Sequence, residues 1–124
     1  MKTEAFFSKL EEIFKQSPEQ ASLFAKSFIA KKFKKDKDSW CEGAKRMLKG
    51  GMLFLMFKKQ PVTVNGLKDF FDLQTIKEDR KESITKKLAK APGYVQECFV
   101  GIVDNASNTF NGYFGILANY VDLL

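Results

Sequence analysis

Histidine is absent from the 124 residues, and with it every His-based general base, catalytic triad and His-ligated metal site. Cysteine is scarce. Cys41 and Cys98 stand alone and far apart, which excludes a four-thiolate zinc site. Both lie in helical patterns, so the expectation is two buried free thiols in a reducing compartment. No Gly-x-x-x-x-Gly-Lys-Ser/Thr phosphate loop occurs; the glycine cluster from Gly43 to Gly51 has neither the order nor the lysine placement. The carboxylate pairs Glu11-Glu12 and Glu78-Asp79 fall on charged, solvent-facing helix segments, where no general acid–base work is expected. The longest apolar run, Gly50 to Phe57, is flanked by Lys49 and Lys58 and falls far short of the roughly 18 residues of a membrane span. Strand punctuation is nearly missing too, with Pro61-Val62-Thr63-Val64 the only β-like stretch. What remains is a non-catalytic, all-α binding domain with no metal or cofactor of its own.

What is present supports that class. The length suits one domain, 1–124, and 13 phenylalanines predict an aromatic core. Residues 3–16 carry Phe6, Leu10, Ile13 and Phe14 on one stripe, and Met1–Lys15 therefore reads as an amphipathic helix rather than a signal peptide. Ser17-Pro18-Glu19-Gln20 is a start signal: serine caps, proline takes the first helical position, and Gln20 completes a capping box. The second helix turns Ala21, Phe24, Phe28 and Ile29 inward and ends in Lys31-Lys32-Phe33-Lys34-Lys35, part of which faces the negative end of the helix dipole. Ser39-Trp40-Cys41-Glu42 reads as a further capping box, opening a third helix to Phe57 with Trp40, Ala44, Met47, Gly51 and Leu55 on its core face. Thr63 caps a short fourth helix bearing Leu67, Phe70 and Phe71. Thr75 with Glu78 starts a charged fifth helix that stops at Pro92-Gly93; its thin apolar content (Ile76, Ile84, Leu88) places it on the surface.

In the last segment Val95, Phe99, Ile102, Ala106, Phe110, Tyr113, Leu117, Tyr120 and Leu124 recur at the helical period. Glu97, Gly101, Asp104, Asn108, Asn111, Gly115, Asn119 and Asp122 form the opposite, polar stripe. The pattern predicts one long C-terminal helix, or two sharing an axis with a break near Asn111-Gly112. The expected architecture is a compact bundle of about six helices.

From Lys37-Asp38-Ser39-Trp40 onward the chain resembles the all-alpha domain of type IV coupling proteins, the hexameric ATPases that feed DNA or protein to conjugation and type IV secretion machines. Asp38 and Trp40 open a helix with the pattern Trp-x-x-Gly-Ala-Lys-Arg-Met-Leu and an apolar run ending at Phe57. Pro61-Val-Thr-Val-Asn-Gly-Leu-Lys-Asp-Phe-Phe is similar to the family's short helix after an extended linker. Leu88-Ala-Lys-Ala-Pro precedes a terminal helix whose middle is Asn105-Ala-Ser-Asn-Thr-Phe-Asn-Gly-Tyr-Phe-Gly-Ile-Leu. The resemblance rests on residues 22–124. It implies a family-like domain over 18–124, with 1–17 an N-terminal helix lacking a firm counterpart. It also implies excision from a larger ATPase, whose core alone would hold ATP and Mg. The domain would then be a cytoplasmic part of an inner-membrane-associated bacterial protein, hexameric in its parent. Its partners would be transfer DNA, a relaxosome-type protein–DNA complex, a secreted protein or an adaptor.

Charge suggests where such a partner would bind. The chain carries a net +6, all of it in the first half, and no Lys or Arg follows Lys90. Lys31, Lys32, Lys34, Lys35 and Lys37, joined by Lys45, Arg46 and Lys49, are the expected anion-binding surface; a merely solvated lysine face is the alternative. The aromatics fall on core stripes, so no base-stacking platform is expected. Asp104, Asn108, Asn111 and Gly115 are the expected stripe for a protein partner, with an ordinary exposed helix face as its alternative. A free-standing helical adaptor is the competing class.

Overall fold

The computed structural model describes residues 1–74 and 77–124, with 77–79 as backbone only. Its described residues form seven α-helices and no strand: α1 (Thr3–Gln16), α2 (Pro18–Lys32), α3 (Ser39–Phe57), α4 (Val64–Phe70), α5 (Lys77–Ala89), α6 (Gly93–Gln96), which runs into a 3-10 turn at Glu97–Phe99, and α7 (Ser107–Leu123). None is long and apolar enough to cross a membrane.

A single residue joins the first two helices. Ser17 receives the end of α1, its N–H bonding the Ile13 carbonyl, and its Oγ then accepts from the Gln20 N–H at 3.2 Å to start α2, with Pro18 in the first turn. So short a joint makes the pair antiparallel, and stacked phenylalanines fasten it. Phe6 lies parallel to Phe28 with ring centroids 3.7 Å apart and touches Phe24 at 5.5 Å.

Helix α3 is the axis of the molecule. From Gly50 to Met56 every residue is buried, as a helix with apolar side chains all round must be. Helix α2 packs on it and carries α1, and α7, α4, α6 and the 3-10 turn cover the rest. Close approach here depends on glycine: a Cβ on Gly50 would stand 2.4 Å from a Phe99 ring carbon, and one on Gly51 2.7 Å from Phe71. Among the described residues no charged side chain is buried, and the buried polar groups are the Tyr120 hydroxyl and the Cys98 thiol.

Thr63 caps α4 as expected, its Oγ1 accepting from the Gly66 N–H at 2.9 Å, and Pro61–Thr63 is an extended link rather than a strand. Helix α5 lies outside α7 and contributes Ile84 and Leu88 to the core. The cap assigned to Thr75 and Glu78, and the inward role of Ile76, lie outside the described residues.

Three expectations require correction. The cap of α3 is Asp38, not Ser39: the Asp38 carboxylate accepts from the Cys41 N–H at 2.8 Å. Trp40 is not in the core; 42% of it is exposed. The C-terminal segment is not one helix, nor is it broken at Asn111-Gly112. It turns between Val100 and Ala106, where Gly101 takes a left-handed φ of +78°, and Gly112 sits inside an unbroken α7. As a result Ala106 is exposed and Tyr113 half-buried, whereas Phe114 and Val121, off the expected stripe, are buried.

Candidate functional site

The lysine segment is the last turn of α2 followed by an anchored loop rather than a loose tail. Helix α2 ends at Phe33, which is buried and stacks on the Tyr120 ring of α7 at 4.0 Å. A turn follows, the Asp36 N–H bonding the Phe33 carbonyl at 3.1 Å. The Tyr120 hydroxyl donates to Asp36 Oδ2 at 3.0 Å, and Lys45 Nζ donates to the Asp36 carbonyl. Asp38 then caps α3. Both ends of the loop are thus tied to the body, and Lys31, Lys32, Lys34, Lys35 and Lys37 are all exposed.

The carboxylates of this region are already engaged. Asp36 accepts from Tyr120, Asp38 from the Cys41 N–H, and Glu42 pairs with Lys45 at 3.0 Å. That backbone N–H bond is the main reason the Asp38 carboxyl lies below the usual range. Lys31 and Lys32 at the end of α2 and Lys34, Lys35 and Lys37 in the loop, by contrast, make no hydrogen bond or ion pair among the described residues, so their ammonium groups face solvent, with the Asp36 and Asp38 carboxylates the anions between and beside them in sequence.

The other three cations do not join them. Lys45 is spent on Asp36 and Glu42. Arg46 donates to the Val100 carbonyl, and with Lys49 it lines a groove beside Leu23, Tyr94 and Cys98. Of the eight expected cations, Lys45 and Arg46 are thus bonded within the fold and Lys49 lines that groove.

The expected polar stripe is divided. Asp104 belongs to the turn before α7, so it shares no helix face with Asn108, Asn111 and Gly115. Asn108 Oδ1 accepts from the Thr109 N–H at 2.9 Å; Asn111 is half-buried and its Oδ1 lacks a partner; Gly115 is exposed.

Neither thiol is poised as a nucleophile. At Cys41 a hydrogen bond with Tyr120 lowers the pKa, but burial and the Asp38 and Asp36 charges outweigh it and leave the thiol above its ordinary value. Burial raises Cys98, against the pull of Lys49 and Arg46. Cys98 is buried as expected, while Cys41 is only partly so. Among the described residues no three His, Cys, Asp or Glu side chains gather as a metal site would need. The open groove between the ends of α1 and α3 is lined by Phe14, Met56, Phe57 and Tyr94, with Glu11 its one carboxylate.

Sequence reasoning missed Trp40 as a surface group. Its indole leans on Tyr113, ring centroids 4.8 Å apart, and on the bare Cα of Gly112, where a Cβ would stand 2.9 Å from the ring. Its position at the second residue of α3, beside the cap, was the available signal, since the first turn of a helix often projects beyond the body it packs on.

No protein-family profile matches the chain, and no curated protein or solved structure is significantly similar to it.

Proposed function

We propose that this chain is a non-catalytic substrate-recognition domain of the type IV coupling-protein kind. It would bind transfer DNA, or the protein–DNA complex that delivers it, at the cytoplasmic face of a hexameric ATPase. The observation that carries the binding half of this reading is the run of five exposed lysines across the end of α2 and the anchored loop, none with a hydrogen bond or ion pair among the described residues. Cations in that state neutralise phosphates and release counterions without reading sequence.

Thr3 Oγ1 donates to the Leu124 carbonyl at 2.7 Å, a closeness of ends compatible with an inserted domain and common among domains of other kinds. The run from Trp40 through α7 supplies the family resemblance. ATP and Mg would belong to the ATPase core.

Fluorescence anisotropy with labelled DNA tests the binding. Engagement of five phosphates predicts that affinity falls on the order of a hundredfold between about 50 and 200 mM salt. Lys32→Glu, Lys34→Glu and Lys35→Glu together should abolish retention and leave the helical circular dichroism unchanged. Equal binding by wild type and triple variant would discard the lysine loop as a DNA surface.

A further inference from the structure

We infer that the cleft between the start of α1 and the last turns of α2 is a docking site for a protein partner. The segment it takes is one in which acidic residues flank a large apolar side chain. The inference goes beyond the DNA reading and does not depend on it. The cleft has a volume of about 320 Å³ and is lined by Met1, Phe24, Ser27, Phe28, Lys31 and Lys32. Its floor is aromatic and fixed. The Phe28 ring lies flat on Phe6, centroids 3.7 Å apart, and Phe24 stacks on the same ring at 5.5 Å. Phe6 is fully buried, whereas Phe24 and Phe28 stay half-buried and line the cleft.

Helical spacing brings the cations to the same place. Lys31 follows Ser27, and Lys32 follows Phe28, by four residues, so both stems rise from the face that holds the rings. Neither lysine makes a hydrogen bond or ion pair among the described residues, and neither lies over an aromatic ring. No carboxylate lines the cleft. Grooves elsewhere on the described surface do carry one: Glu11 in the first, Asp69 in a second, Glu97 in a third. An apolar cleft edged only by cations is complementary to an anion joined to an apolar group. Duplex phosphates would satisfy the lysines and leave the phenylalanines unused. A protein segment such as Asp-Phe-Asp or Glu-Leu-Glu engages both, and Met1, 76% exposed, is an adaptable thioether at the edge of the cleft.

Fluorescein-labelled Gly-Gly-Asp-Asp-Phe-Leu-Asp-Asp is titrated with the full chain by anisotropy. Two control peptides accompany it, one with Ser-Ser in place of Phe-Leu and one with every Asp replaced by Asn. The Ser-Ser control should bind about tenfold or more weakly, the worth of a large apolar side chain withdrawn from water; the Asn control should be weaker too. Ser27→Trp fills the cleft without altering a charge. It should weaken peptide binding about tenfold and keep the wild-type circular dichroism and DNA retention. Lys31→Gln should weaken the peptide about two- to fivefold. In the wild type the peptide should shift the amide resonances of Ser27, Phe28 and Lys31 first. No peptide binding, equal affinity for the Ser-Ser control, wild-type affinity in Ser27→Trp, or shifts centred elsewhere overturns the docking site; retained DNA binding then leaves the earlier reading standing. Peptide binding at the cleft with no DNA binding supports the docking site and discards the DNA surface. If oligo(dT) shifts the Phe24 and Phe28 resonances and the peptide does not, nucleic acid replaces the protein partner. Should Ser27→Trp fail to fold, the wild-type shift map decides.

Discussion

The hydroxyl of Tyr120 donates to Oδ2 of Asp36 across 3.0 Å, joining the last helix to the loop after α2 over 84 residues of sequence. Phe33 stacks on the same tyrosine, so one side chain holds both the backbone entry and the apex of the lysine loop. Tyr120→Phe keeps the stack and loses the hydrogen bond. We expect a loss of about 1 kcal/mol in urea unfolding, because Asp36 is exposed and can turn to water. The pH dependence has a definite sign. Burial first, then Cys41 and Asp36, raise the Tyr120 pKa in the folded chain. The resulting stability is complete below the unfolded tyrosine value of about 10 and is lost as pH rises through the folded value. Tyr120 phenolate absorbance should therefore appear only as the helices melt, a step missing from Tyr120→Phe.

Two glycine substitutions should act in opposite directions. Gly50→Ala forces a Cβ to within 2.4 Å of the Phe99 ring and 2.8 Å of Cys98 Cβ, so overpacking of about 1–3 kcal/mol should exceed the helix-propensity gain. Gly115→Ala meets nothing within 4 Å on the exposed face of α7 and should stabilise by about 0.5–1 kcal/mol. Thermal unfolding of the pair reads both signs.

Trp40→Ala should cost about 1–2 kcal/mol, since the residue is only partly covered, 42% of it being exposed. A loss in the roughly 3–5 kcal/mol range of a buried aromatic would show the indole to be a core element.

Asp38→Ala removes the cap of α3. The Asp38 pKa is lowered when folded, mainly by the Cys41 N–H bond. Its contribution is thus present above the unfolded carboxylate value of about 3.9 and vanishes as pH falls through the folded one. The gap in melting temperature between wild type and Asp38→Ala should be widest near neutrality and close in strong acid.

Much of the architecture was legible because it is locally encoded. Ser17-Pro18 and Thr63 announce α2 and α4 by capping chemistry alone, and the run through Gly50–Met56 marks a buried helix. The turn at Val100–Ala106 escaped because the apolar spacing from Val95 to Ile102 continues in phase through it. Gly101 looked like one more member of a polar stripe, and only its left-handed φ marks it as a stop. Trp40 escaped for a tertiary reason: the spacing to Ala44 is that of a core face, but at that end the indole lies against Tyr113 and Gly112 of α7 and stays 42% exposed. The loop lysines were visible as charge; that Lys45 and Arg46 are occupied depends on the Asp36 and Val100 carbonyls, which no spacing rule brings near.

The bond between Thr3 and Leu124 also couples two helix ends, because Thr3 opens α1 and Leu124 closes α7. Fraying at either end therefore removes a contact from the other, and the first and last turns of the bundle hold or loosen together.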